Sequence, residues 1–213
     1  MNNWIEIGML LIILGNFSLL GSSRLGMCIR VLSAQGIVLG ILPFLFGSSM
    51  EVYTTCMALI ALVLKGGVFP WLLLRALHQA NVRREVEPFI GYTASLITGV
   101  AALLGSFWLD AHLGLNVVSK AQLAVPVSFF TILTGLFLLI TRKKALTQVM
   151  GYLVLENGIY AFGTTIAGNI PFSVELGVLL DVWVAIFAMG VATYQINREF
   201  DHTDVDKLNK LKG

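Results

Sequence analysis

Long apolar stretches separated by short polar connectors constrain this chain more than any other feature. A helix needs about 20 mostly apolar residues to cross the hydrocarbon core of a bilayer. Seven stretches approach that length: 4–22, 27–46, 52–76, 89–109, 122–141, 146–167 and 174–196. In lipid the backbone polar groups must be bonded within the protein, which favours helices. We therefore predict an all-α, polytopic membrane protein with about seven transmembrane helices.

The composition excludes several classes of function. The 213-residue chain is 57% hydrophobic and only 12% charged, whereas about 25% of residues are charged in soluble domains. No basic tract alternates with aromatic residues, so nothing indicates nucleic-acid binding. The sequence has no Walker, HExxH or GxSxG motif, and soluble-type catalysis is not indicated. The lipid bilayer is the expected environment.

The Lys and Arg residues of the connectors lie mostly on one side of the predicted topology. Short cytoplasmic loops of membrane proteins carry an excess of Lys and Arg. With seven spans, the connectors after spans one, three and five lie on the same side as the C-terminus. That side holds Arg24, Arg30, Arg75, Arg83, Arg84, Arg142, Lys143, Lys144, Arg198, Lys207, Lys210 and Lys212, and the other side holds Lys120 alone. We predict a cytoplasmic C-terminus and an outside N-terminus in the cell inner membrane.

The two cysteines do not indicate a metal site. Cys28 and Cys56 lie in apolar stretches, whereas iron–sulfur and structural zinc sites use sets of about four ligands. We expect both to be small buried apolar side chains, and we expect this chain to bind no metal and no cofactor.

Three ionisable residues fall well inside predicted spans: Lys65, Glu156 and Asp181. A charge at the centre of a transmembrane helix costs about 2.5–3.5 kcal/mol on insertion scales. Such residues normally face a bundle interior, a partner or a water-filled path. All three are therefore candidates for a proton or ion relay.

Glu156 is at the centre of GYLVLENGIY, about 15 Å into its span. Tyr152 and Tyr160 lie four residues on either side, on the same helix face, and are candidates for relay support. Gly151 and Gly158 allow another helix to approach closely. The alternative is a protonated glutamate that is hydrogen-bonded across a helix pair and has no transport role.

Lys65 stands in ALVLKGGVFPW, five residues before Pro70. Pro70 lacks the N–H that would bond the carbonyl of Gly66. The pattern predicts a kinked helix with a freed carbonyl beside the ammonium, as in intramembrane ion sites where irregular backbone lines a cavity. The alternative is a structural kink with a snorkelling lysine.

The remaining candidates are Asp181 and His78. Asp181 is about 10 Å below the start of the last span, and its alternative role is a polar contact between packed helices. His78 ends the third span among basic residues and is a candidate for a lateral relay.

Several motifs together resemble one family. GYLVLENG, VELGVLLDVWVAI, the ending DVDKLNKLKG and the upstream LKGGVFP are similar over essentially the whole chain to component E of hydrogenase-4 and formate hydrogenlyase-type complexes. The last three spans also resemble the K-type subunit of respiratory complex I and the C subunit of multi-subunit cation/proton antiporters. Glu156 matches the second-helix glutamate of that subunit. Asp181 stands where the family has a third-helix glutamate, and Lys65 resembles the Lys-then-Pro helix of antiporter-like subunits.

The resemblance implies a membrane-arm subunit of a group 4 [NiFe] hydrogenase complex, which is non-redox and not catalytic alone. It implies antiporter-like and other membrane subunits as partners, with a peripheral hydrogenase arm that holds the [NiFe] centre and the iron–sulfur clusters. The chain would divide into a four-helix region (1–115), a K-subunit-like three-helix region (116–198) and a polar cytoplasmic tail (199–213). Alternatives are a subunit of a complex I-like or antiporter assembly, a scaffold subunit without a proton path, and a free-standing permease.

The topology gives a direct prediction. A tag fused after Gly213 should be protected from external protease in intact cells and cleaved only after lysis, because the basic connectors place the C-terminus in the cytoplasm. Cleavage in intact cells would show that the orientation is wrong.

Overall fold

The computed structural model describes residues 2–46, 52–79, 89–113 and 122–166. In this part the chain is helical, as predicted. The helices are α1 (Asn2–Gly21), α2 (Leu25–Phe46), α3 (Val52–Val63), a π-helical segment (Leu64–Val68), α4 (Phe69–Gln79), α5 (Tyr92–Leu113), α6 (Ala124–Thr141) and α7 (Ala145–Ile166). The predicted last span, which includes Asp181, and the polar tail lie outside the described residues.

Five segments of the described part are long and apolar enough to cross a membrane. They are Trp4–Gly21, Leu25–Leu45, Ala58–His78, Tyr92–Leu113 and Ala124–Thr141, and they match the first five predicted spans. The chain is therefore a multi-pass membrane protein. α7 covers the sixth predicted span as a 22-residue helix, but Gln148, Glu156 and Asn157 make it less apolar. The count of seven stays a prediction.

Two contacts show which helix ends meet. The Arg142 guanidinium donates to the carbonyl oxygen of Leu20 at 3.0 Å, which joins the ends of α6 and α1. The backbone N–H of Phe89 donates to Thr141, which brings the start of α5 to the same side. We call this side of the bundle the Arg142 end.

Four helices enclose the core. α1 packs on α2, α2 on α7, α7 on α6 and α6 on α1, so these four form a closed ring. The π-helical segment, together with α3 and α4, packs against α2 from outside, and α5 packs against α1 and α6. The core of the protein is the interior of this ring.

Two apolar clusters fill the ring at different depths. The first includes Leu20, Leu25, Leu138 and Leu146 and lies near the Arg142 end. The second includes Ile5, Met9, Ile12, Leu39 and Val127 and lies toward the opposite end. Between them is what we call the polar layer, a set of buried polar side chains: Asn16, Gln35, Lys65, Thr131, Glu156 and Asn157.

α6 and α7 pack with their backbones close together, because glycines line their contact. A Cβ at Gly151 would come within 2.8 Å of the backbone nitrogen of Leu139, and one at Gly158 within 2.6 Å of that of Ile132. The predicted close approach at these two glycines is confirmed. Gly135 on α6 is tighter still, since a Cβ there would collide with the backbone of Leu155.

The outer surface of the bundle is apolar, as a lipid or protein environment requires. Trp4, Trp71, Trp108 and Ile140 are all exposed. Cys28 is buried as expected, but Cys56 is exposed. The expectation of burial was wrong for Cys56, because a span that packs on one side only leaves some of its apolar residues on the outer surface.

The close packing predicts the effect of a single methyl group. Gly135→Ala should lower the thermal stability of the purified protein, because overpacking a tight contact costs about 1–3 kcal/mol. Gly105→Ala is the control, since a Cβ at Gly105 meets nothing within 4 Å and alanine favours helix. Equal melting temperatures for the two variants would contradict the packing described for α6 and α7.

Candidate functional site

The site is a buried ion pair between two helices that are distant in sequence. The Lys65 ammonium is 2.5 Å from Oε1 of Glu156, and the two side chains are 3% and 2% exposed. Glu156 lies eleven residues into α7, or about 17 Å from the Arg142 end. The hydrocarbon core is about 30 Å thick. The pair therefore lies near the middle of the membrane, and the structure brings together two of the three predicted relay residues.

Lys65 is presented by a π-helical segment. Within it the N–H of Phe69 bonds the carbonyl of Leu64, five residues earlier, instead of the usual four. Such single-turn π segments are rare and are frequent at functional sites. The cause is local, because Pro70 has no N–H to offer to Gly66. The irregular backbone predicted beside Lys65 is present, in the form of a π-helical turn.

The carbonyl freed by Pro70 has a partner that the sequence did not indicate. The hydroxyl of Ser33 on α2 donates to the carbonyl oxygen of Gly66 at 2.7 Å. Next to it, a Cβ at Gly36 would come within 2.7 Å of the carbonyl oxygen of Lys65, so α2 lies directly against the irregular turn. α2 therefore holds the turn that carries Lys65.

Two further side chains of α7 contact the ammonium. The Lys65 Nζ donates to Oδ1 of Asn157 at 3.4 Å, and it lies 4.7 Å from the ring centroid of Tyr160. A cation over an aromatic face is stabilised by the ring quadrupole, the more so when it is desolvated. Tyr160 thus contacts the site through its ring face.

The other predicted support residues are less closely placed. Tyr152 is half-buried and packs against the apolar cluster near the Arg142 end. His78 is exposed, and its Nδ1 is 2.7 Å from the carbonyl oxygen of Leu74 in its own helix. It is about 19 Å along its helix from Lys65. The structure therefore does not bring His78 to the pair.

A cluster of neutral polar groups lies at the same depth as the ion pair. Asn16 donates to the hydroxyl of Thr131 at 2.9 Å. Gln35 donates to Oδ1 of Asn16 at 2.9 Å and to the carbonyl oxygen of Ile12 at 3.3 Å. We call Asn16, Gln35 and Thr131 the amide cluster. Gln35 is ten residues into α2 and Thr131 ten residues from the end of α6, about 15 Å from the Arg142 end.

Arg142 has a different role from the one that its position suggested. It lies in a basic connector of the predicted topology, yet its side chain is only 2% exposed. Its guanidinium donates to Leu20, within the last turn of α1, and lies 4.8 Å from the Tyr92 ring centroid. A cation at this position donates a hydrogen bond to a terminal carbonyl and is attracted by the negative end of the helix dipole. Arg142 therefore ties together α6, α1 and α5.

Some of the site could have been found by a broader rule. Asn16, Gln35 and Asn157 are polar side chains in apolar spans, so including amides with the ionisable residues would have selected them. Ser33 has no comparable signal, because serine is common at helix contacts in membranes. Among the described residues, no group of three or more His, Cys, Asp and Glu side chains could hold a metal ion.

Comparison with known proteins adds independent information. A profile of the family described as NADH-ubiquinone/plastoquinone oxidoreductase chain 4L matches residues 123–213. The uncharacterized protein Rv0085 of Mycobacterium tuberculosis is 34% identical over 187 residues, which are 86% of this chain and 84% of that protein. Hydrogenase-4 component E of Escherichia coli and of Shigella flexneri is 30% identical over 120 residues, 56% of this chain and 55% of that protein. No solved structure matches the chain.

These matches define the class of protein. The chain is a multi-pass membrane protein with a chain 4L-like C-terminal segment. Residues 123–213 match the chain 4L family, and the chain is similar to hydrogenase-4 component E. The resemblance seen in the sequence is thereby confirmed, while the aligned region spans about half the length of hydrogenase-4 component E.

The ion pair predicts non-additive mutations. Lys65→Met and Glu156→Gln should each lower thermal stability, because either leaves a buried group without its partner. The double variant should lose less than the sum, with an interaction energy of about 0.5–3 kcal/mol for groups in contact. Melting curves of the four proteins measure this energy. Additive losses would mean that the two charges do not interact.

Proposed function

We propose that this chain is a membrane-arm subunit of a group 4 [NiFe] hydrogenase complex in the cell inner membrane, where it helps to couple electron transfer to the movement of protons or sodium ions. The observation that carries the proposal is the 2.5 Å contact between Lys65 and Glu156 inside the bundle. The chain 4L match of residues 123–213 and the similarity to hydrogenase-4 component E supply the context. Partner membrane subunits and a peripheral arm with the [NiFe] centre and iron–sulfur clusters belong to the same proposal.

The pair can act as a switch because each charge depends on the other. While the ammonium is beside it, the carboxylate keeps its charge in a region where an isolated charge is expensive. If Lys65 moves away or loses its proton, Glu156 can stay in place only by taking up a proton. Displacement of Lys65 by an event in a partner subunit would thus load Glu156, and its return would release the proton.

Asp181 is proposed as the third member of this relay. It matches the family's acidic position in the last span, and it lies outside the described residues. With Lys65 and Glu156, it would form a hydrated polar path that residues of neighbouring subunits complete.

Two alternatives keep the membrane role but change the assembly or the activity. A complex I-like or multi-subunit antiporter assembly would use the same pair without a nickel enzyme, and the chain 4L match favours neither assembly over the other. A scaffold subunit would keep the pair only for helix packing. The burial of both charges at mid-membrane favours a relay, since hydrophobic residues of similar volume often stabilise a protein as well as a buried ion pair does.

Glu156→Gln tests the proposal. The amide keeps the shape of the side chain but cannot carry a proton, so the ratio of ion-coupled to dye-linked hydrogenase activity should fall. Dye-linked activity reports the peripheral arm alone and corrects for the amount of assembled complex. A wild-type ratio of the two activities would show that Glu156 is not a relay residue.

Assembly is checked in the same samples. On a blue-native gel, the variant should migrate with wild type as a large complex whose band contains nickel and iron. A large band without nickel would favour the antiporter or complex I-like alternative, and a band of the single subunit would favour a permease.

A further inference from the structure

The polar layer contains side chains besides the ion pair, and the proposed relay gives them no role. The amide cluster lies inside the ring of α1, α2, α7 and α6, whereas Lys65 reaches Glu156 from the π-helical segment packed outside α2. Asn16, Gln35 and Thr131 are 0%, 3% and 1% exposed. They carry no charge, and helix pairs can pack without them, so their burial requires a separate explanation.

Sequence neighbours connect the amide cluster to the ion pair on two sides. Gln35 precedes Gly36, which lies against the backbone of Lys65. Thr131 precedes Ile132, which lies against Gly158, and Gly158 follows Asn157. Adjacent Cα atoms are about 3.8 Å apart. The amide cluster is therefore close to the backbone of both halves of the site, and Asn157, which accepts from the Lys65 ammonium, precedes Gly158 at this contact.

Two buried oxygen atoms in this layer have neither a hydrogen bond nor an ion pair with the described residues. They are Oε1 of Gln35 and Oε2 of Glu156, whereas Oε1 of Glu156 faces the Lys65 ammonium. Buried polar groups without a protein partner are normally bonded to internal water, which requires a polar site with two to four partners. The polar layer offers amide, hydroxyl and carboxylate groups, and the apolar clusters above and below it would confine water to this depth.

We propose that the amide cluster binds internal water, and that this water conducts protons between the α1 side of the bundle and the Lys65–Glu156 pair by way of Asn157. Neutral amides and hydroxyls suit this role because they orient water without competing for the proton. The inference rests on the proposed relay function. It adds water as the ligand and the amide cluster of Asn16, Gln35 and Thr131 as the site that binds it.

Water at the amide cluster can be detected by thiol chemistry in the intact complex. In a Cys28→Ala, Cys56→Ala background, Thr131→Cys should react with methyl methanethiosulfonate, read as a mass increase on this chain. The matched control is Val127→Cys, one turn earlier on α6 and 0% exposed in an apolar cluster. Thr131→Cys nearly preserves the side-chain volume. We expect Thr131→Cys to react about tenfold faster or more, since a dry site must first open locally. Equal rates would overturn the inference.

Conduction is tested separately from water binding. Gln35→Leu should lower the ratio of ion-coupled to dye-linked activity and raise the solvent isotope effect of the coupled rate in D2O, because proton delivery becomes limiting. A loss of packing alone would not raise the isotope effect. If Gln35→Leu does not assemble, the same two measurements are made on Thr131→Val, which keeps the side-chain shape. Wild-type coupling and isotope effect in the variant that assembles would overturn conduction through the amide cluster.

The outcomes also separate this inference from the proposed function. If Glu156→Gln keeps the wild-type ratio of ion-coupled to dye-linked activity, the relay itself is wrong, whether or not Thr131→Cys reacts. A normal Glu156→Gln defect combined with an unreactive Thr131→Cys leaves the relay standing and overturns only the hydrated amide cluster.

Discussion

The need to bury Lys65 and Glu156 together in a low-dielectric medium organises this bundle. Either charge alone at mid-membrane would be expensive, and their attraction compensates only if the two side chains are held at short range with further polar contacts. The contact is 2.5 Å, and Asn157 and the Tyr160 ring surround the ammonium. The approach of α7 to the π-helical segment and the position of α2 beside both follow from this requirement.

Rigid packing on either side of the pair keeps its geometry. On α7, the glycine contacts with α6 fix the helix that carries Glu156. On the other side, Ser33 holds the carbonyl of Gly66 and so fixes the irregular turn that carries Lys65. Arg142 ties α6 to α1 at the end of the bundle. The charges are thus supported by neutral contacts, and a change in any of these contacts would reach the pair through backbone position.

The sequence predicted the members of the site better than their partners. Lys65 and Glu156 could be selected because the cost of a charge in a span is local, and Gly151 and Gly158 because small residues mark close helix contacts. Pro70 likewise predicted the irregular turn. The contact between Lys65 and Glu156, the bond from Ser33 and the burial of Arg142 depend on which helices become neighbours. Hydropathy patterns are similar in all the spans, so they do not specify that arrangement.

The ion pair also bears on how the two regions of the chain relate. Glu156 lies inside the segment that matches the chain 4L family, residues 123–213, and Lys65 lies before it. α2, which supplies Ser33 and Gln35, also precedes that segment. The matched segment therefore contains the carboxylate, and the preceding helices contribute the cation beside it and three polar neighbours, Asn16, Ser33 and Gln35. If the pair is the switch, the N-terminal helices are part of the coupling element, because removing them would leave the buried Glu156 carboxylate without its partner cation.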